Sequence, residues 1–164
     1  MKTAIIYYSM SGNTKFIAGK IAEKLGADMI RIEPVKAYPD RGAKKFIWGG
    51  KSAVMREKPK LLPYEFNAGQ YDTIIIGTPV WASSFAPPIR TFIQENKHIQ
   101  KKKIAAFVCF SGGGADKAMD KMKRYIGVDT FEAELALIDP KEKIKPETDA
   151  KIEGFCSVLE HVQK

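Results

Sequence analysis

The hydrophobic pattern changes period several times along the chain, and the first change is the most informative. Thr3 to Tyr8 is a nearly unbroken apolar run of strand length. From Phe16 onward, Ile17, Ile21 and Leu25, flanked by Ala18 and Ala22, recur on one helical face. Gly26 stands where a glycine just past the last turn ends such a helix. Ala27 to Ile32 alternates as a second strand and is closed by Pro34. Strand, loop, helix and strand within about thirty residues define a βαβ unit, which crosses over right-handed.

The same alternation of periods continues downstream. Thr73-Ile74-Ile75-Ile76-Gly77 reads as a short buried strand of a parallel sheet. Pro87 and Pro88 suit the first turn of a helix that buries Ile89, Phe92 and Ile93. Ile104 to Phe110 predicts a fourth strand. A helix follows with Ala115, Ala118, Met119, Met122 and Ile126 inward and Gly127 as its stop. Phe131 to Ile138 predicts a fifth strand, and Pro146 opens a last helix with the stripe Ile152, Phe155, Cys156 and Leu159. Five strands alternating with helices predict one α/β domain over residues 1–164, a three-layer, doubly wound sandwich around a five-stranded parallel sheet.

One stretch, about 35–64, does not follow the pattern. Phe46, Ile47 and Val54 hint at a helix that Gly42, Gly49 and Gly50 weaken. It carries Lys36, Arg41, Lys44, Lys45, Lys51, Arg56, Lys58 and Lys60. A solvated irregular excursion accounts for it; the sharper alternative is a flap that docks a partner or covers a cofactor, with Trp48 its most interesting residue.

Composition narrows the classes. A chain of 164 residues fits one domain with a proper core. No apolar run approaches the ~20 residues of a membrane span. Met1-Lys2-Thr3 leads straight into strand-like sequence, leaving no room for a signal or transit peptide, so a cytoplasmic location is expected. Cys109 and Cys156 lack CxxC spacing, and with only His98 and His161 beside them they assemble no soft-ligand metal site. Cys109 reads as a small buried hydrophobe near a strand end. The net charge of +8 fits nucleic acid, an anionic cofactor, an acidic protein partner, or solubility alone, and does not choose among them.

The candidate chemistry lies at strand ends. Tyr7-Tyr8-Ser9-Met10-Ser11-Gly12-Asn13-Thr14 runs from the first strand into the first helix. There the unpaired N–H groups and the helix dipole favour an anion. A phosphate loop with Ser9, Ser11, Asn13 and Thr14 as further donors is one reading, and an ordinary hydroxyl cap is the other. In an open parallel sheet every strand-to-helix loop emerges at the C-terminal edge. This loop therefore meets Thr78 to Ser84, which carries Trp81, and Phe110 to Gly114, which is glycine-rich. The lysine of a GxxxxGK[ST] loop and a GxGxxG turn are both missing.

In these residues the chain resembles the flavodoxin family over nearly its whole length. Ser9-Met10-Ser11-Gly12-Asn13-Thr14 is similar to the flavodoxin phosphate loop, a [S/T]-x-[S/T]-G-x-[S/T] pattern. Thr78-Pro79-Val80-Trp81, with Ala82, resembles the second flavin loop, and Phe110-Ser111-Gly112-Gly113-Gly114 stands where the third is expected. The resemblance implies strand order 2-1-3-4-5 and FMN as cofactor. It implies that Ser9 to Thr14 hold the FMN phosphate and that Trp81 stacks on the isoalloxazine. Backbone groups of residues 79–83 and 111–114 would then meet the pyrimidine edge. No residue is assigned as a general acid or base.

Three departures matter. The third loop has Phe110 but no Tyr within it. Ala82 and Ser83 stand where many flavodoxins place a glycine beside the flavin N5. Flavodoxins are typically acidic, and this chain is basic. The implied function is electron transfer to a redox partner protein or small-molecule acceptor. An alternative on the same fold is an NAD(P)H-dependent flavin or quinone reductase, with cations of residues 36–60 on the nucleotide phosphate. A third reading, from another class, is a basic module that has lost flavin and binds nucleic acid. The lack of exposed aromatics interleaved with the cations argues against it.

Overall fold

The computed structural model describes residues 2–38 and 56–162. Trp48 and the helix hinted at by Phe46, Ile47 and Val54 lie outside the described residues. In chain order come β1 (Thr3–Tyr7), α1 (Asn13–Leu25), β2 (Asp28–Arg31), β3 (Thr73–Trp81), β4 (Ser84–Phe85), α2 (Pro87–Glu95), β5 (Lys103–Phe110), α3 (Ala115–Ile126), β6 (Glu134–Ile138) and α4 (Pro146–Val162). The parallel sheet has the order β2-β1-β3-β5-β6, and β4 pairs antiparallel with β3 off this path. Among the long strands alone that is the expected 2-1-3-4-5; the short β4 is the addition.

Alternation along the strands builds two cores. Ile5, Ile75, Ala105 and Phe107 point to one side of the sheet, where Ile17, Ile21, Ile152 and Phe155 of α1 and α4 cover them. Ile6, Ile74, Ile76, Ala106 and Val108 point to the other, where Ile89, Phe92, Met119 and Met122 of α2 and α3 pack. Both faces are covered, so the inner strands read as continuous apolar runs. Each fully buried Ile or Phe contributes about 1.5–3 kcal/mol of burial free energy.

Local signals set the helix ends. Gly26 and Gly127 close α1 and α3 in the left-handed region, with φ of 61° and 90°. Pro87 and Pro88 open α2, and α4 starts at Pro146. Two strands differ from their sequence pattern. β3 does not stop at Gly77 but runs to Trp81, because Thr78 and Pro79 go on pairing with Val108 and Cys109 of β5. β6 begins at Glu134 rather than Phe131.

The basic excursion leaves and returns at one place. Val35 N–H donates to the Lys60 carbonyl and Leu62 N–H to that of Glu33, both at 2.8 Å, around a Pro34–Leu61 bridge. No helix of the described residues is long and apolar enough to cross a membrane.

Candidate functional site

The C-terminal ends of β1, β3, β5 and β6 converge on a cavity of about 240 Å³. Its lining includes Met10, Ser11, Asn13 and Thr14 from the first loop, and Pro79, Val80, Trp81 and Ala82 from the end of β3. Phe110, Ser111, Gly112 and Gly113 come from the third loop. Cys109 and Asp139 complete it, and neither was among the residues expected from sequence.

The first loop is shaped to present donors. Gly12 caps α1 with φ 98°, a left-handed value that favours glycine. The Phe16 N–H donates to the Gly12 carbonyl, so the preceding helical N–H groups of Asn13 and Thr14 have no intrahelical acceptor. α1 has no acidic residue in its first turn to compete for them. Ser9 is not part of this display. It is buried, and its hydroxyl accepts the Lys15 N–H at 3.1 Å, which makes it a brace of the first turn. Arg31 steadies the same residue from β2, donating to the Ser9 carbonyl at 3.4 Å while paired with Glu33.

A fourth loop, after β6, closes the α1 end of the cavity. The Lys141 N–H donates to Asn13 Oδ1 at 2.9 Å. Its side chain lies over Gly12, where an added Cβ would sit 3.1 Å from the Nζ. An ammonium therefore stands at the α1 N-terminus although the first loop contains no cation. Asp139, with φ 37°, accepts the Ser111 hydroxyl at 2.7 Å, and its own N–H donates to the Phe110 carbonyl. It thereby fixes the third loop.

The second loop is a tight hairpin turn. Trp81 pairs with Ser84, leaving Ala82 and Ser83 as the two central residues, with φ of 48° and 57°. Positive φ at both positions is what a two-residue turn of the twisted type needs, here without glycine. Thr78 is fully buried behind it. Its hydroxyl accepts the Ala86 N–H and donates to the Pro79 carbonyl, both at 2.9 Å, so it holds the hairpin and does not reach the cavity. Gly114 also lies outside the cavity. With φ 90°, it packs under Ser83, and a Cβ there would come within 2.5 Å of the Ser83 hydroxyl and 2.8 Å of its backbone α-carbon.

Trp81 is oriented by two tyrosines that sequence reasoning did not place. Tyr8 and Tyr38 meet its ring edge-on at centroid distances of 5.6 and 5.3 Å, which sets the indole plane at the cavity. Tyr8 could have been found from strand alternation at the end of β1, whereas Tyr38 carries no periodic signal. Gly112 and Gly113 line the cavity, and an added Cβ at either meets nothing within 4 Å, so the free space beside them faces outward from the fold. Cys109 is buried beside Thr14, and burial pushes its thiol up to about 12, which keeps it neutral and unreactive near neutral pH. No group of His, Cys, Asp or Glu among the described residues is placed to hold a metal ion.

A slot with donors and a cation at one end, a braced indole along it and a glycine turn at the other lies at the C-terminal strand edge, where doubly wound sheets hold their ligands. The chain belongs to the flavodoxin family, whose model matches residues 2–144. A comparison with curated proteins found no match. Among solved structures, a flavoprotein from Lactobacillus acidophilus in complex with FMN is 23% identical, with a TM-score of 0.70 and coverage of 92% of this chain and 97% of that one. A protein from Bacteroides eggerthii, provisionally described as a flavoprotein, is 20% identical, with a TM-score of 0.73 and 96% of both chains covered. The two-electron reduced flavodoxin of Megasphaera elsdenii is 16% identical, with a TM-score of 0.61 and coverage of 95% of this chain and 96% of that one. At these identities the likeness is one of fold.

Proposed function

We propose that the protein binds FMN in this slot and transfers electrons through it. The observation that carries the reading is the α1 end of the slot, where Ser11, Asn13 and Thr14 line the cavity at a helix N-terminus and the Lys141 ammonium lies close by, over Gly12. The donor set suits a phosphate and the indole suits a flat ring. The turn of Ser111 to Gly113 leaves room for backbone contacts to a pyrimidine edge. Ser11, Asn13, Thr14 and Lys141 would hold the phosphate. Trp81 would cover one face of the ring, and Ala82 with Gly112 and Gly113 would flank its polar edge. Bound flavin supplies the redox chemistry, while the protein sets position, water access and nearby charge. Localisation in the cytoplasm accords with two free, buried cysteines.

The test is a comparison of FMN with riboflavin, which lacks the phosphate. Ser11→Ala with Lys141→Ala should weaken FMN by about tenfold or more, the scale of a lost hydrogen bond to a charged group, and leave riboflavin affinity unchanged. Equal weakening of both would return the loop to a plain helix cap. A colourless preparation that takes up no added FMN would overturn the reading altogether. A second reading, a reductase that draws electrons from NAD(P)H, is favoured by one observation: a cationic cleft that shares Ala82 with the slot.

A further inference from the structure

That cleft lies across the Ala82–Ser83 turn, with a volume of about 410 Å³. Its lining includes Arg56, Arg90, Lys121, Arg124 and Tyr125, and no carboxylate is among the described residues that line it. Lys121 and Arg124 are one turn apart on α3, so their side chains share a face. The acids on that helix are placed otherwise: Asp116 is in its first turn, and Asp120 is paired with Lys123.

Arg90 separates this cluster from an ordinary solvated basic face. It is only 7% exposed, and its guanidinium carbon lies 4.4 Å from the Phe85 ring centroid and 4.5 Å from that of Tyr125. Two ring faces stabilise a cation and hold its plane, but they supply no counter-charge. Burial and the neighbouring Arg56 both work against the charged form of Arg90, with Tyr125 alone supporting it among the described residues. An arginine does not shed its proton in a protein, so the charge stays, and among the described residues no carboxylate forms an ion pair with it. Lys121 and Arg124 add like charge beside it. A pre-oriented guanidinium with two flexible cations around a concavity is an arrangement that an anion completes, and the guanidinium fork matches phosphate geometry.

We propose that this cleft binds a small phosphorylated molecule through its phosphate or diphosphate group, with Arg90 as the fixed anchor and Lys121 and Arg124 as closing cations. The volume is that of a small-molecule site. Ala82 lines both cavities, so a ligand anchored here extends toward the slot. The anion site stands by itself; its role in presenting a substrate to flavin rests on the reading above.

The experiment is calorimetric titration of the FMN-loaded protein with inorganic pyrophosphate and with adenosine 2′,5′-bisphosphate. Saturable one-to-one binding is expected. Lys121→Gln with Arg124→Gln should weaken it by about tenfold or more. Lys145→Gln with Lys151→Gln, an equal loss of charge at exposed positions by α4, should leave it unchanged. Arg90→Lys keeps the charge and removes the fork, and should also weaken both probes. Absence of saturable binding would overturn the proposal, as would equal weakening in the Lys145/Lys151 control, which would reduce the effect to net charge. FMN affinity, measured on the same variants, should not move. A protein that binds pyrophosphate but not FMN sinks the flavin reading alone, and the converse sinks this one alone.

Discussion

At the scale of single residues, the site depends on backbone conformations that side chains resist. Ala82 and Ser83 hold positive φ without being glycine, each at a cost of about 1–2 kcal/mol. The strain persists because Trp81–Ser84 pairing and the Thr78 hydroxyl hold the turn from behind. Gly114 is the partner that makes this possible, since Ser83 occupies the space its side chain would need. Gly114→Ala should therefore destabilise the fold by about 2–4 kcal/mol in urea unfolding, combining positive φ with overpacking. Adding Ser83→Gly should recover part of that loss, because it removes the hydroxyl clash but leaves the backbone of residue 83 in the way. Full tolerance of Gly114→Ala would mean that the second and third loops do not lean on each other.

At the scale of elements, the central strand pair shows how sheet and site are joined. Gly77 of β3 faces Phe107 of β5, whose ring covers it so closely that an added Cβ would fall 2.2 Å from the ring carbon Cζ. Gly77→Ala should lower stability by about 1–3 kcal/mol, and Phe107→Leu in the same chain should restore much of it. The strand cores were legible in the sequence, because their apolar runs are buried on both faces and the period changes sharply at each helix. The far end of β3 was not. Gly77 and Pro79 read as stop signals, yet pairing with Val108 and Cys109 carries the strand through them. The β4 hairpin was hidden for a similar reason, since Ala-Ser is not a turn sequence. Three loops of the site could be found from the rule that they share one edge. The fourth has neither glycines nor a hydroxyl pattern, and Asp139 and Lys141 acquire their roles only through tertiary structure.

At the scale of the whole molecule, titratable groups tie stability to alkaline pH. Burial pushes the thiols of Cys109 and Cys156 up to about 12 and about 11, and burial with a Glu95 hydrogen bond pushes the Tyr64 phenol up to about 12. Buried Tyr8 moves the same way. All four are neutral when protonated, and all hold their protons more tightly folded than unfolded. Their contribution is thus complete below about pH 7.5, before unfolded thiols begin to ionise, and is lost as pH rises through the folded values. The urea midpoint should be level up to about pH 7.5, begin to fall near about 8 and fall steeply above about 9. Cys109→Ala should shallow that fall, and an unchanged profile would show that this thiol ionises as readily folded as unfolded.

The bond between Asn13 and the backbone of Lys141 spans 128 positions of sequence. The loop between β1 and α1 is made early in the domain, but the ammonium that lies over Gly12 follows the last strand. On the proposed reading, binding competence is therefore among the later properties the domain acquires. Ligand capture then reports on complete synthesis, and a product ending before β6 carries the motif without the grip.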